Sequence, residues 1–560
     1  MTLTDALERW GRGWRGPALA AFVAFLAGLP GVLTVPPLDR DESRFAQATA
    51  QMLETRDFVV IRFQDQPRFK KPVGIHWMQA TSVSLLSSPE ARQIWAYRVP
   101  SLLGAMLAAA ACAWGAAAFF GGRGGLIAGA LFGATLLLST EAMIAKTDAM
   151  LAGTTTLALA ALGRMYAAAR EGPPAGRATP WIFWIAVGLA TLIKGPIGPL
   201  IVALTLVTLA LLDRRAGWMG RLKWWWGLII VAAIVGPWAG AVTVATDGGF
   251  WSTAIGADLA PKLAGGQETH GAPPGYHTLL APLLLFPVTL LLPAALATAW
   301  TRRREPGVKF AIAWALPAFV LFEAMPTKLV HYPLPTYGAI CWLAAAALAG
   351  PLGARTRWAG AALAALAGLA LAVGAFYLTS LYGDPSDATA AAVTGGLFVV
   401  AGLAGGYLLA RGEPLTAAAA ALAAGVLAHA ALAAALLPRL DPLWLSDRVE
   451  AALGQARLLP RQGLADAPVA VAGYAEPSLV FALGTATELE GAEEAAEAIA
   501  ENRPAVVEAR EEAAFRQALA ALRAEAVQVG EVRGLDYSNG DEMLLRIYEG
   551  RRAKPRSPAP

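Results

Sequence analysis

Three clusters of polar residues interrupt an otherwise apolar chain, and their residue types suit chemistry on a phosphorylated substrate. The first is Leu38-Asp39-Arg40-Asp41-Glu42-Ser43-Arg44-Phe45-Ala46. Acids at a helix start favour the helix dipole, which accounts for Asp41 and Glu42 but leaves Arg40 and Arg44 unexplained. A carboxylate among arginines suits a general base facing an anionic substrate. The second cluster is Gln66-Pro67-Arg68-Phe69-Lys70-Lys71-Pro72-Val73-Gly74-Ile75-His76-Trp77. Adjacent Lys70 and Lys71 beside aromatic rings suit a phosphate at a membrane surface, with a basic interface anchor as the plainer alternative. The third runs from Glu141 to Met150 and puts Asp148 at a helix mouth, either as a cap or as a functional acid.

The elements that must position these residues are membrane spans. Of the 560 residues 56% are hydrophobic and 15% charged, against about 25% charged in a soluble protein. Residues 1–440 hold 21 acidic and 32 basic side chains, whereas 441–560 hold 20 acidic and 13 basic. This shift predicts two regions in different solvents and excludes a wholly soluble enzyme or a disordered chain. Crossing a bilayer takes about 20 apolar residues. Runs that meet or approach this length lie near 17–35, 99–119, 126–139, 150–168, 181–194, 196–212, 224–244, 278–299, 310–325, 333–350, 359–380, 391–410 and 415–437. The expected architecture is a polytopic α-helical membrane domain over 1–440, with about 13 spans, followed by a small extracytoplasmic α/β domain over 441–560. In that tail, 468–472, 506–508 and 543–548 read as strands, 511–525 as a helix, and the end from Arg551 as frayed. The first apolar run lacks a small-residue cleavage site and is expected to stay as a span.

Eighteen arginines and lysines fall in the segments on one side of these spans, among them Arg9, Arg123, Arg214 and Arg302, so that side is expected to be cytoplasmic. The N-terminus is then cytoplasmic, and an odd span count puts the tail outside. On the outer side, loop 36–98 concentrates 16 charges in 63 residues, which marks where an active site would lie. Within it, 46–54 reads as a helix lying along the interface, with Phe45, Ala48, Met52 and Leu53 facing down. Lys146, Lys194, Lys262 and Lys328 also fall on the outer side, where lysines either snorkel to the headgroups or form an anion site. Cys112 and Cys341 lie in apolar runs and are expected to be packing residues. The excess of positive charge sits in loops between spans, so no nucleic-acid partner is expected.

Taken together, these motifs resemble the GT-C membrane glycosyltransferases that use polyprenyl-phosphate sugars, most closely the bacterial aminoarabinose transferases related to protein O-mannosyltransferases. The resemblance is carried by Asp41-Glu42-Ser43-Arg44-Phe45-Ala46, by Phe69-Lys70-Lys71-Pro72 through Trp77, by Thr147-Asp148, by Lys194-Gly195-Pro196, and by Thr327-Lys328-Leu329-Val330-His331-Tyr332-Pro333-Leu334-Pro335. Tail segments Gly473-Tyr474 to Leu483 and Gly534 to Gly540 are similar to the family as well. The resemblance implies that Asp41 is the catalytic aspartate, Lys71 the phosphate-binding lysine and Tyr332 a phosphate-contacting tyrosine. Aminoarabinose transferases carry an acid, linked to a bound metal, where this chain has Lys70, so no metal site and no cofactor are expected.

The activity so implied is transfer of a sugar from undecaprenyl phosphate to an envelope acceptor such as lipid A or a related glycan, at the periplasmic face of a bacterial inner membrane. In this reading Asp41 is the base, with Glu42 and Asp148 as further catalytic acids. Lys70, Lys71, Arg44, Lys328 and Tyr332 hold the lipid phosphate, and inversion follows from a single displacement. The loop 267–277 closes over the site through His270 and His277; two histidines and one acid there make a weak metal pattern. The expected partners are the lipid-linked donor, the acceptor and membrane lipids, with the protein acting as a monomer. Transfer to protein, and transport of the lipid-linked sugar, are the rival readings. Transporters place coupling charges near the bilayer midplane, and these spans hold few charges.

Overall fold

Gly121 sets the first large feature of the membrane domain. In the computed structural model, which describes residues 2–38, 40–214, 216–259 and 271–550, the helix Ile94–Gly133 is broken at Gly121, whose φ of 71° lies in the left-handed region open to glycine. The expected spans at 99–119 and 126–139 are thereby the two arms of one folded-back element. A Cβ on Gly122, at the corner, would stand 2.5 Å from the Gly11 carbonyl oxygen, so small residues let the N-terminal segment close against it. The helix Arg15–Thr34 packs along this pair, with Ala20 and Ala24 against Ala109 and Ala113 in a buried cluster. Such small side chains let helix backbones approach closely where no hydrophobic effect drives association.

Each of the 13 apolar runs overlaps a helix. Among the described residues seven helices are long and apolar enough to cross a membrane, and Thr179–Lys194, Ile197–Asp213 and Leu334–Ala347 are shorter apolar helices. The run at 278–299 is not straight: Tyr276–Leu284 and Val288–Thr301 meet at 113°. At the end of the bundle away from loop 36–98, Asp213 accepts from Tyr166 (2.9 Å) and Lys309 (2.7 Å) and pairs with Arg170, tying three helix ends. Phe310 and Trp314 pack on Trp342, whose indole donates to the Cys112 carbonyl at 3.1 Å. Cys112 and Cys341 are free and buried, as packing residues.

Loop 36–98 contains helices Asp41–Thr55 and Gly74–Leu86, joined by a short hairpin, β1 (Arg62–Phe63) with β2 (Gln66–Pro67). The Asp41–Thr55 helix is buried on both faces, Gln47 and Thr49 as fully as Phe45 and Ala48, and so does not lie open to water on its polar side. The C-terminal domain covers it. Thr485 accepts from Gln47 (2.7 Å) and donates to Glu54 (2.6 Å), while buried Arg92 donates to Gln47 (2.6 Å) and Glu54 (2.5 Å). Phe481 meets Tyr97 edge-on.

The C-terminal domain is a five-stranded mixed sheet with helices. Its strands are β3 (Ala470–Ala472), β4 (Glu488–Glu490), β5 (Ala505–Glu508), β6 (Ala526–Leu535) and β7 (Glu542–Gly550), in the order β4-β3-β5-β7-β6. β3 pairs in parallel with β4 and β5, and β7 pairs antiparallel with β5 and β6. Val471, Val506, Leu545 and Ile547 pack on Leu445, Val449 and Leu479, a core separate from that of the membrane bundle. The expected strands and helix are present, and β4 and β6 are additional.

Candidate active site

Asp41 opens its helix directly after Arg40, a non-glycine residue at φ 61°. The turn is held by backbone bonds Ser43 N to Leu38 O (3.2 Å) and Arg44 N to Arg40 O (3.0 Å). Its carboxylate is 63% exposed, with Arg68 Nη2 at 3.7 Å. The Arg68 guanidinium lies 4.7 Å over the Phe45 ring, which in turn stacks on His76, so a cation and two rings fix the arginine facing Asp41.

Glu42, one residue on, is buried and fully engaged. Oε1 accepts from Arg98 Nε (2.8 Å) and Ala145 N (2.6 Å); Oε2 accepts from Arg98 Nη2 (2.7 Å) and Leu38 N (2.8 Å). Arg98, also buried, donates onward to the carbonyls of Gly31 (3.2 Å), Val35 (2.6 Å) and Pro36 (2.9 Å). The structure thus places Glu42 in a sealed ion pair without access to a reacting group. This pair joins the end of the first long helix, the Asp41 turn and the segment just before Asp148.

A second ionic group surrounds Asp148. Lys194 hydrogen-bonds to it, His331 Nε2 is 3.4 Å and Lys146 Nζ 3.8 Å away, and Lys146 also lies 3.1 Å from Glu141. Burial alone would push the Lys146 ammonium down, but the carboxylates of Glu141 and Asp148, and more weakly Asp41, reverse this and hold it above its ordinary value. Burial drives the His331 imidazole well below its ordinary value, reinforced by Lys146, Lys194 and Lys71 against the pull of Asp148, so it is neutral at pH 7.

This group forms one end of a cavity of about 770 Å³. Lys70, Lys71, Asp148, Lys194, His331 and Tyr332 line the polar end; Trp184, Trp224, Leu228, Val231 and Trp238 line an apolar gallery. The three lysines outweigh the single carboxylate by two charges, so the polar end suits an anion and the gallery a hydrocarbon chain. Of the residues expected from the sequence, the cavity therefore gathers Lys70, Lys71, Asp148 and Tyr332. Asp41, half-buried Arg44 and Glu42 stand outside its wall. Lys328 also turns away, donating to the carbonyls of Glu323 (2.8 Å) and Met325 (2.5 Å). His277 is buried against Tyr276 and Phe319, and His270 lies outside the described residues. No group of three or more His, Cys, Asp or Glu side chains among the described residues is placed to hold a metal ion. Arg68, Arg98, Glu141 and His331 were given no role from the sequence; Lys146 was legible only as a lysine on the wrong face, and Lys194 also as part of the Lys194-Gly195-Pro196 motif.

Residues 70–240 match the family model described as dolichyl-phosphate-mannose-protein mannosyltransferase. Two similar proteins are named undecaprenyl phosphate-alpha-4-amino-4-deoxy-L-arabinose arabinosyl transferase. That of Aeromonas salmonicida is 27% identical over 55% of this chain and 57% of its own length, and that of Aeromonas hydrophila 28% identical over 59% of each. The matched region therefore spans less than two thirds of either relative. The crystal structures of ArnT from Cupriavidus metallidurans, apo and bound to undecaprenyl phosphate, superpose with TM-scores of 0.75 and 0.76 at 20% identity, covering 94% of this chain and 97% of theirs. The chain is thus similar in sequence to aminoarabinose transferases and, over residues 70–240, to protein mannosyltransferases, and it shares the fold of the ArnT structures over nearly its whole length.

Proposed function

We propose that the chain transfers a sugar from a polyprenyl phosphate of the undecaprenyl type to an envelope glycolipid of the lipid A kind. The reaction takes place at the periplasmic face of a bacterial inner membrane, with the N-terminus cytoplasmic. The observation that carries this reading is the two-part cavity: a cationic end of Lys70, Lys71 and Lys194 opening into a tryptophan-lined gallery. A lipid phosphate needs both halves, and the relatives' names and the ArnT ligand support the same donor class.

In this mechanism the bond between the anomeric carbon and the phosphate oxygen breaks, and the electron pair leaves with the phosphate. Lys71, Lys70 and Lys194 offset that charge, and the ring of Tyr332, 6.0 Å from Lys194 Nζ, walls it in. The acceptor oxygen attacks from the opposite side with inversion, and Asp41 takes its proton where the acceptor is a hydroxyl. Arg68, 3.7 Å away, orients Asp41. Asp148 orders Lys194 and Lys146, acting through them, and Glu42 acts through Arg98 on the Asp41 turn.

The test is purified protein with undecaprenyl phosphate-linked aminoarabinose and extracted lipid A, read by mass spectrometry. Asp41→Asn should abolish transfer, by at least about 100-fold as for loss of a general base, with donor binding retained. Turnover equal to wild type in that variant refutes the base assignment. Movement of labelled donor across sealed vesicles with no covalent product refutes the transferase reading altogether.

A further inference from the structure

At the bundle end opposite Asp148 a second cavity, of about 760 Å³, opens between the N-terminal segment and two long helices. Leu107, Ala110, Trp114 and Ala117 line it from the Ile94–Gly133 helix, spaced at three and four and so on one face. From the Asp148–Ala168 helix come Leu157 and Arg164, one above the other. Arg12 and Trp14 close the mouth, both exposed.

Arg164 is the unusual member. It sits about one turn inside its helix end, with its guanidinium 4.8 Å over the Trp114 ring and Nη1 donating to the Trp114 carbonyl at 3.0 Å. Its Nε is buried without a hydrogen-bond partner. Arg170, further along the same chain, is paired with Asp213, whereas neither Arg164 nor Arg12 has a carboxylate at ion-pair distance among the described residues. Two arginines without acids, at the mouth of an alanine-walled apolar slot, form a site for an anionic headgroup joined to a hydrocarbon chain. No side chain of helix Leu3–Trp10 is fully buried in the protein, which suits a segment lying in the headgroup layer beside this slot.

We infer that this groove holds an anionic phospholipid of the adjacent leaflet, its phosphate between Arg12 and Arg164 and one acyl chain along Ala110 and Ala117. The phospholipid is favoured over a polyprenyl chain because the groove opens at the level of the interfacial helix, where bulk lipids already stand. The charge complementarity carries the selectivity: phosphatidylglycerol is retained over zwitterionic phosphatidylcholine.

The experiment is native mass spectrometry of the full-length protein titrated with phosphatidylglycerol or phosphatidylcholine. A surface arginine contributes about fivefold in affinity for an anionic lipid, so Arg12→Gln should weaken phosphatidylglycerol binding about fivefold and Arg12→Gln with Arg164→Gln about 25-fold. Ala110→Leu, which narrows the slot and keeps both arginines, should weaken it too. Arg12 lies outside the helices, so its variant tests the site even where the Arg164 variant fails to fold. Equal retention of the two lipids, wild-type binding in Arg12→Gln, or displacement of phosphatidylglycerol by equimolar undecaprenyl phosphate overturns the inference.

Discussion

Asp41 and Glu42 are neighbouring acids in one motif, and their environments predict opposite responses to the same change. In Glu42→Gln one amide oxygen keeps two of the four donors, and the new NH₂ group faces the other two. Those donors are one Arg98 N–H and either Ala145 N or Leu38 N, at present within 2.8 Å of a carboxylate oxygen. The buried guanidinium also loses its counter-charge, and breaking a buried pair from one side costs about 3–5 kcal/mol. Set against a total stability of roughly 5–15 kcal/mol, this is a large fraction. The unfolding temperature in detergent should fall by about 10 °C, taking roughly 2–4 °C per kcal/mol. Asp41→Asn, at a side chain 63% exposed, should leave it within about 2 °C. An apolar double variant, Glu42→Leu with Arg98→Met, should recover only part of the loss, since the carbonyls of Val35 and Pro36 then lose their Arg98 donor. The assay is thermal unfolding of the three variants beside wild type, each with its transfer rate. A Glu42→Gln protein with wild-type unfolding temperature but no transfer would make Glu42 a reacting group and the ion pair dispensable, the opposite of the roles assigned to them.

Other expectations follow from single contacts. Arg92→Ala removes the buried clamp on Gln47 and Glu54 at about 3 kcal/mol; amide exchange over 477–487 should quicken while β5 stays protected, and unchanged exchange would count against the clamp. A Cβ on Gly104 would fall 2.5 Å from the Met150 backbone, so Gly104→Ala should cost about 1–3 kcal/mol in thermal unfolding, and a neutral result would mean the two helices can part freely. Burial, together with a hydrogen bond and repulsion from Glu476, raises the Asp536 carboxyl to about 6. A raised carboxyl contributes stability in acid that is lost as pH climbs through about 4 to 6, so the turn 536–541 should exchange more slowly at about pH 4.5 than at about pH 7.5 after correction for intrinsic rates. Greater protection at the higher pH would reverse the assignment.

What could be read from the sequence was local, and what could not depended on which segments meet. Lys70, Lys71 and Tyr332 belong to short motifs whose own turns carry them to the cavity, so their residue types were informative. Lys146 and Lys194 were legible as lysines on a face where basic residues are rare, yet their carboxylate partners became visible only when helix mouths from 141–148, 194 and 331 came together. Arg98 gave no signal: it interrupts an apolar run, and its partner lies 56 residues upstream. Lys328 shows the converse. Its charge was plain, but the turn 323–328 folds it onto its own carbonyls, a direction that residue type does not encode.

The same logic explains the larger elements. Periodicity assigned Phe45, Ala48 and Met52 to one face of the Asp41–Thr55 helix, but it could not say what covers the other: Gln47 bonds to Thr485 of the C-terminal domain, Thr49 to His76 and Gln79, and Gln51 to Gln64, so all three are polar yet buried. β6 escaped notice because a register shift between Gln528 and Gly530 breaks its alternation. Hydropathy marked 278–299 as apolar, but a sum over residues is blind to the 113° bend within it. The covered helix face depends on partners distant in sequence, Thr485 above all. The Glu42–Arg98 pair is the strongest case, since it ties the turn bearing Asp41 to the segment leading into Asp148. An acid that reads as one of a catalytic pair is the means by which two separate loops are held in one place.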